Sequence, residues 1–395
     1  MFHNKLSSHL FIALILVFVI TIACQSTIAT PTILPWEFLL PRSTPLQLPS
    51  ISKVPPPVLA SQPPPSLASA TPAITVEVTT PPTPPSPPLI TLLFTGQIVP
   101  GRCVQTGVET MGNADYIYDN IRDLISGADY AIGTLNGSLS NSSPKTGCIR
   151  TFILVGSPEH ADAMRRAGFD AMSVATNHIK NCVLSNCGQR TFWDTIENLK
   201  RVGIAPVGAG RNLAEAMQPV VFTVQGVRFA VISLGEIEPM AFASQEKPGI
   251  AVLNEDNLRA AIAAARQVGD VVIVMPHWGP EYSATPNWNQ RKYAKIAVEA
   301  GADLVVGNHP HTVQAIQMIN EVPVFYGLGN FVFDQSWSVE VSGSVILQVT
   351  FEGSHYKGYT LTPVISQMDG KVLRANKEQA AQILTSIEKA SQELH

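Results

Sequence analysis

Gly307-Asn308-His309-Pro310-His311 is the stretch on which the reading of this chain turns. It follows an apolar, strand-like run from Leu304 to Val306. Upstream, a second such run from Val271 to Met275 leads into His277-Trp278-Gly279. Continuous apolar runs of this length read as buried strands, and strand ends are where an α/β fold gathers its site residues. Pro310 biases His309 towards an extended backbone. In extended chain residues i and i+2 share a side, so His309 and His311 are expected to converge. With His277 they form the kind of set that a transition-metal or phosphate-handling site needs. One histidine alone would be read as a hydrogen-bonded turn residue; an H-x-H with a further imidazole at another strand end is read as a site.

The chain has 395 residues, 45% hydrophobic and 14% charged, with a formal net charge of -4. This composition excludes a chain disordered throughout and offers no basic surface for nucleic acid. At the N-terminus, Lys5 precedes an apolar run from Leu10 to Ala23 that stops at Cys24. The run is shorter than the roughly 20 residues of a spanning helix and matches a secretory leader. Ile22-Ala23-Cys24 looks like a lipobox, although Thr21 stands where leucine is usual. Residues 1–24 are therefore expected to be a lipoprotein signal peptide, lipidated at Cys24, and the rest to lie outside the cytoplasm, anchored to the cell membrane; a retained signal anchor is the other reading. Four further cysteines remain: Cys103, Cys148, Cys182 and Cys187. An even set in an oxidising compartment suggests two disulfides, and three pairings exist. The preferred one joins Cys182 to Cys187 and Cys103 to Cys148.

Residues 25–88 hold more than half of the chain's 31 prolines. Proline removes backbone donors and favours extended polyproline II, so this segment reads as a disordered stalk. From Leu89 strand-like and helix-like segments alternate, which defines one domain over 89–395. Helices are expected over 114–126, 158–167, 189–202, 254–267 and 287–300, and again from about Lys377. Strands are expected over 89–94, 130–134, 171–175, 271–275, 304–306, 322–326, 343–351 and 356–365, with a hairpin about Gln225-Gly226. Apolar strands separated by amphipathic helices imply a sheet covered on both faces.

Polar clusters recur at the strand ends: Thr95-Gly96-Gln97 with Arg102, Thr134-Leu135-Asn136-Gly137, Asn177-His178, His277-Trp278-Gly279-Pro280-Glu281-Tyr282, the His309 segment, and Gly329-Asn330-Phe331. On these motifs, from about Thr91 to Asp334, the chain resembles the CapA family of poly-γ-glutamate capsule-biosynthesis proteins, which have a calcineurin-like metallophosphoesterase fold. The resemblance implies a four-layer α-β-β-α sandwich with its site beyond the strand ends. It places Asn177, His277, His309 and His311 around a metal position and sets His178 against a substrate oxygen as an acid or anion stabiliser. It also offers Arg102, Glu281 and Asn330 to the substrate. Glu281 is read first as a brace for His277, and Glu236 and Asp334 as candidate substitute acids. Trp278, Tyr282 and Trp288 are read as core or rim residues ahead of sugar-stacking faces.

Two departures stand out. Where the family pattern has Gly-Asp after the first strand, this chain has Gly96-Gln97; where it has Asn-Leu-Glu-Gly after the second, it has Thr134-Leu135-Asn136-Gly137. Both changes exchange a carboxylate for a neutral amide, and hard divalent ions depend on anionic oxygen ligands. A bridged pair of cations is not expected; at most one zinc or manganese would sit on the three imidazoles. Two functions follow from the resemblance. One is a membrane-anchored protein in the synthesis, export or anchoring of an anionic capsule polymer or cell-surface glycan, with a capsule-export complex as partner. The alternative is a mononuclear metal-dependent hydrolase of the phosphoesterase type.

Overall fold

The computed structural model describes residues 87, 89–142, 146–180, 188–237 and 239–394. The leader, Cys24, the proline-rich segment up to residue 86 and the Cys182–Cys187 pairing lie outside the described residues. Among the described residues no helix is long and apolar enough to cross a membrane.

Two sheets organise the described residues from Leu89 onward. The first has the spatial order Val372–Arg374, His355–Ser366, Gly343–Glu352, Leu89–Ile98, Tyr130–Leu135, Ala171–Ser173, Ala205–Val207, and Asn330–Val332 also pairs with Leu89–Ile98. The second runs Ile316–Ile319, Val322–Phe325, Leu304–Val306, Val271–His277, Val227–Gly235, Val220–Val224. Strand alternation explains the layering. Ile90, Leu92 and Phe94 point into a shared apolar layer with Phe229, Val231, Val271, Ile273 and Met275 of the second sheet. The intervening Leu93 turns outward, onto Val104, Met164 and Phe192 from helices. In the second sheet Val272 and Val274 face outward, onto Leu258, Ala261 and Ala294. Period-two strands buried on both faces, each with a helix layer outside, make a four-layer α-β-β-α sandwich.

Parallel pairing decides where the site lies. Leu89–Ile98, Tyr130–Leu135 and Ala171–Ser173 run parallel, as do Val227–Gly235, Val271–His277 and Leu304–Val306. Their carboxyl ends therefore come out on one side of each sheet.

Some elements differ from the sequence reading. The stretch 114–126 is a 3₁₀ turn at Asp115–Ile117 and a short helix at Arg122–Ser126. Tyr116, Ile117 and Tyr118 are consecutive and all buried, a pattern one helical face cannot accommodate. A helix at Cys103–Met111 was legible only in the spacing of Val104 and Val108, because Thr106, Gly107 and two valines are weak helix formers. Asn330–Val332 and Ile316–Ile319 are strands too short to show periodicity.

Candidate functional site

Gln97 ends the first strand, where Gly96 lets the chain pass Gly329: a Cβ at Gly96 would run into the Gly329 carbonyl oxygen. The Gln97 N–H donates to that same carbonyl at 2.9 Å. Asn136 follows the neighbouring strand, and its Nδ2 donates to Gln97 Oε1 at 2.6 Å. The Asn136 Oδ1 accepts from the His178 backbone N–H at 3.3 Å. The two amides thus satisfy one another, and the remaining Gln97 Nε2 donor reaches the His309 carbonyl oxygen at 3.1 Å.

The imidazoles close the arrangement. His277, at the end of its strand, bridges to Asn308 in the next strand end. Its Nε2 lies 2.9 Å from Asn177 Oδ1 and 3.2 Å from His309 Nδ1. His311 Nδ1 lies 2.8 Å from Asn330 Oδ1. Asn330 Nδ2 donates to the Val341 carbonyl at 2.9 Å, which fixes its amide orientation, and Gln97 Nε2 stands 3.2 Å from the same His311 nitrogen. Residues 19 to 212 positions apart in the chain therefore meet at one rim, as the strand-end clusters required.

The backbone here is strained. Among the described residues seven non-glycine residues have positive φ, and four of them are Arg102, Tyr282, His309 and His311. His309, at φ 106, does not take the extended conformation expected from Pro310. The Tyr282 N–H donates to the Pro310 carbonyl at 2.6 Å, which ties the turn after His277 to the histidine segment. Such outliers persist only where the surroundings over-determine them.

Burial sets the electrostatics. Gln97, Asn136, His277, His309 and His311 are almost wholly sealed from solvent. Desolvation disfavours the imidazolium, holding His309 down at about 3 and His277 well below its ordinary value, with neighbouring imidazoles adding to the effect. His178, half-buried at the rim, is pushed to about 3 by burial, then by His311 and Arg102. His311 is lowered by burial, against the pull of Asn330 and Glu281. The cluster is neutral at physiological pH.

These residues do not fit a pair of divalent cations. The strand-end donors are amides and imidazoles, with no carboxylate among them, and the Gln97 oxygen is occupied by Asn136. Among the described residues no group of three or more His, Cys, Asp or Glu has metal-holding geometry. His277 uses Nε2 within the protein, and its Nδ1 is buried without a hydrogen-bond partner.

Several residues have roles other than those expected. Asn330 is fully buried with both ends of its amide engaged, so it braces His311 and does not face a substrate. Glu281 stands nearest His311, with Oε1 3.9 Å from Nε2, and not beside His277. Asp334 is no substitute acid at the cluster: its carboxylate pairs with the Arg102 guanidinium, which neutralises that arginine. Glu236 accepts from the Gly279 N–H at 2.6 Å, and burial raises its carboxyl. Trp278 is buried on Gly307, donating to the Tyr326 carbonyl at 2.9 Å. Trp288 is exposed beside Lys292 at the start of its helix. Tyr282 is the residue the sequence reading undervalued: its ring stacks on His311 at 5.8 Å and 25°. Its place in the string after His277-Trp278-Gly279 was the available signal. Cys103 and Cys148 are joined by a disulfide next to Arg102.

Comparison with known proteins adds the family. Residues 91–335 match the family model described as bacterial capsule synthesis protein PGA_cap. The chain is 32% identical over 256 residues to the capsule biosynthesis protein CapA of Bacillus anthracis, an alignment covering 63% of this chain and 61% of that protein. It is 29% identical over 273 residues to the PGA biosynthesis protein CapA of Bacillus subtilis, covering 69% and 70% respectively. Among solved structures, a phosphatase of Mycoplasma pneumoniae aligns with 76% of this chain and all of that one, at 12% identity and a TM-score of 0.45.

Proposed function

This chain belongs to the bacterial capsule synthesis family PGA_cap, and from that premise we propose that it is an accessory protein of capsule or polyglutamate synthesis. In this reading it engages an anionic extracellular polymer without hydrolysing phosphate esters. The observation that carries the second half is the Gln97–Asn136 amide pair, seated at the strand ends where the family resemblance expects carboxylates. Two divalent ions bring four positive charges, and neutral amides and imidazoles do not offset them. Without such ions the usual source of a hydroxide nucleophile at neutral pH is missing. The residues instead form a hydrogen-bonded network beneath a rim on which His178, Tyr282 and Arg102 stand.

The same reading places the domain outside the cytoplasm. It is anchored through lipid at Cys24, a feature supported by the apolar run from Leu10 to Ala23 that stops at that cysteine. A partner in capsule export fits that placement.

The test is calorimetric titration of the full chain with oligo-γ-glutamate, alongside assays on phosphomonoester and phosphodiester substrates with added zinc or manganese. Saturable polymer binding with no hydrolysis supports the reading. Turnover that depends on the added metal and disappears in His309→Ala overturns it in favour of the hydrolase.

A further inference from the structure

Beside the imidazole cluster, and sharing Tyr282 and Arg102 with its rim, lies a cleft of about 570 Å³. Arg102, the Cys103–Cys148 disulfide, Arg150, Phe152, Tyr282 and Trp337 form most of its walls. The disulfide and the bond from Arg102 Nη1 to the Thr151 carbonyl, 3.2 Å, hold the segment carrying Arg150 and Phe152 against the start of the Cys103–Met111 helix.

Two features of this cleft point to a ligand. First, three aromatic side chains open to solvent around one concavity: Phe152 is 80% exposed, Trp337 53% and Tyr282 48%. Isolated surface aromatics need no explanation, but a cluster around a cavity marks a binding surface. Second, the charged lining consists of Arg102, Arg150 and Asp334. Asp334 neutralises Arg102, leaving Arg150 as the cation among the described lining residues that meets an occupant. Its guanidinium lies 5.1 Å from the centre of the Trp337 ring, so charge and flat face are presented together.

We propose that this cleft binds a carboxylate-bearing sugar, with the C–H faces of the ring on Trp337 and Tyr282 and the carboxylate on Arg150. A pyranose has an apolar face that an aromatic ring covers, and a planar guanidinium matches a carboxylate in a bidentate pair. A polyglutamate chain carries a charge on every residue and no flat apolar face. It would leave the aromatic faces wet. Because Tyr282 stacks on His311, the sugar lies against the strained rim. This inference rests on the polymer-binding reading and narrows its ligand.

The full chain is titrated with a glucuronate-containing tetrasaccharide, the matched neutral tetrasaccharide and an oligo-γ-glutamate, read by calorimetry and tryptophan fluorescence. The acidic tetrasaccharide is expected to bind at least about tenfold more tightly than the neutral one. Trp337→Ala and Arg150→Gln are each expected to weaken it at least about tenfold. Both positions are exposed, so the thermal transition should stay in place. The inference is overturned if the acidic tetrasaccharide does not bind, if the neutral one binds equally, or if neither substitution matters. Binding of oligo-γ-glutamate alone sinks the sugar assignment and leaves the polymer reading standing; binding of neither polymer sinks both.

Discussion

The layer between the two sheets and the rim at their ends are both buried, yet they are built on opposite rules. Between the sheets, Phe94, Phe229, Met275 and Phe351 alternate along regular strands, and ring contacts such as Phe229 with Phe351 at 5.4 Å fill the space. At the rim the buried groups are amides and imidazoles, and four residues hold left-handed backbone conformations. The first region is stabilised by removing apolar surface from water. The second exists only because every polar group but a few finds a partner: His277 Nδ1 and Asn308 Oδ1 are buried without one. A fold tolerates that arrangement where position matters more than stability.

The contrast predicts how each region breaks. The largest effect belongs to the sheet interface: Phe229→Ala leaves a cavity and should cost about 3–5 kcal/mol in denaturant unfolding, with ligand binding at the rim following stability and nothing else. At the rim, Asn330→Ala removes the amide oxygen that faces His311 Nδ1 and orphans the Val341 carbonyl. The expected cost is about 1–3 kcal/mol, together with a loss of rim binding larger than the stability change explains. A loss of stability alone would show that Asn330 is merely structural.

Acid separates the regions without mutation. Imidazole in the unfolded chain titrates near 6.5. In the fold His178 and His309 titrate near 3 and His160 near 4. Above 6.5 both states are neutral and no penalty arises. As pH falls below that value the unfolded chain takes up protons that the folded chain refuses, so stability is lost progressively towards pH 3. The denaturation midpoint at pH 4.5 should fall well below that at pH 7, and substituting Phe for His160 should reduce the slope. A flat profile would contradict a neutral, buried cluster.

The smallest effect concerns strain with no function attached. Asn320 and Glu321 also have positive φ, in the tight turn between Ile316–Ile319 and Val322–Phe325. Glu321→Gly gives that turn its preferred Asn-Gly pair and should add up to ~1 kcal/mol of stability. Tyr282→Gly, which relieves a similar φ at the rim, should give no such gain, because it removes the stack on His311.

The same contrast explains what was legible in the sequence. Apolar periodicity announces regular burial, so the strands Val271–His277 and Leu304–Val306 and the helices Glu255–Val268 and Trp288–Glu299 could be read nearly to their ends. Convergence of His277, His309 and His311 followed from strand ends meeting at one side. The partners of the polar groups were not legible, because hydrogen bonds between distant residues leave no local pattern. Hence Asn330 was taken for a substrate residue and Glu281 for the neighbour of His277. His309 was expected to be extended because a proline follows it, and the tertiary network overrode that local preference. Gln97 and Asn136 were legible as departures from a family pattern, while their bond to each other was visible only in the fold.

The proposed function rests on two neutral amides, Gln97 and Asn136, standing where a cation pair would need anionic ligands. Metal analysis of the full chain, purified without chelator, against the double variant Gln97→Asp with Asn136→Glu tests this most directly. No stoichiometric pair of divalent ions is expected in the natural chain, and tight uptake, with a metal-dependent rise in thermal stability, is expected in the double variant. Two equivalents of zinc or manganese bound by the natural chain, or a double variant that folds and still takes up none, would contradict it.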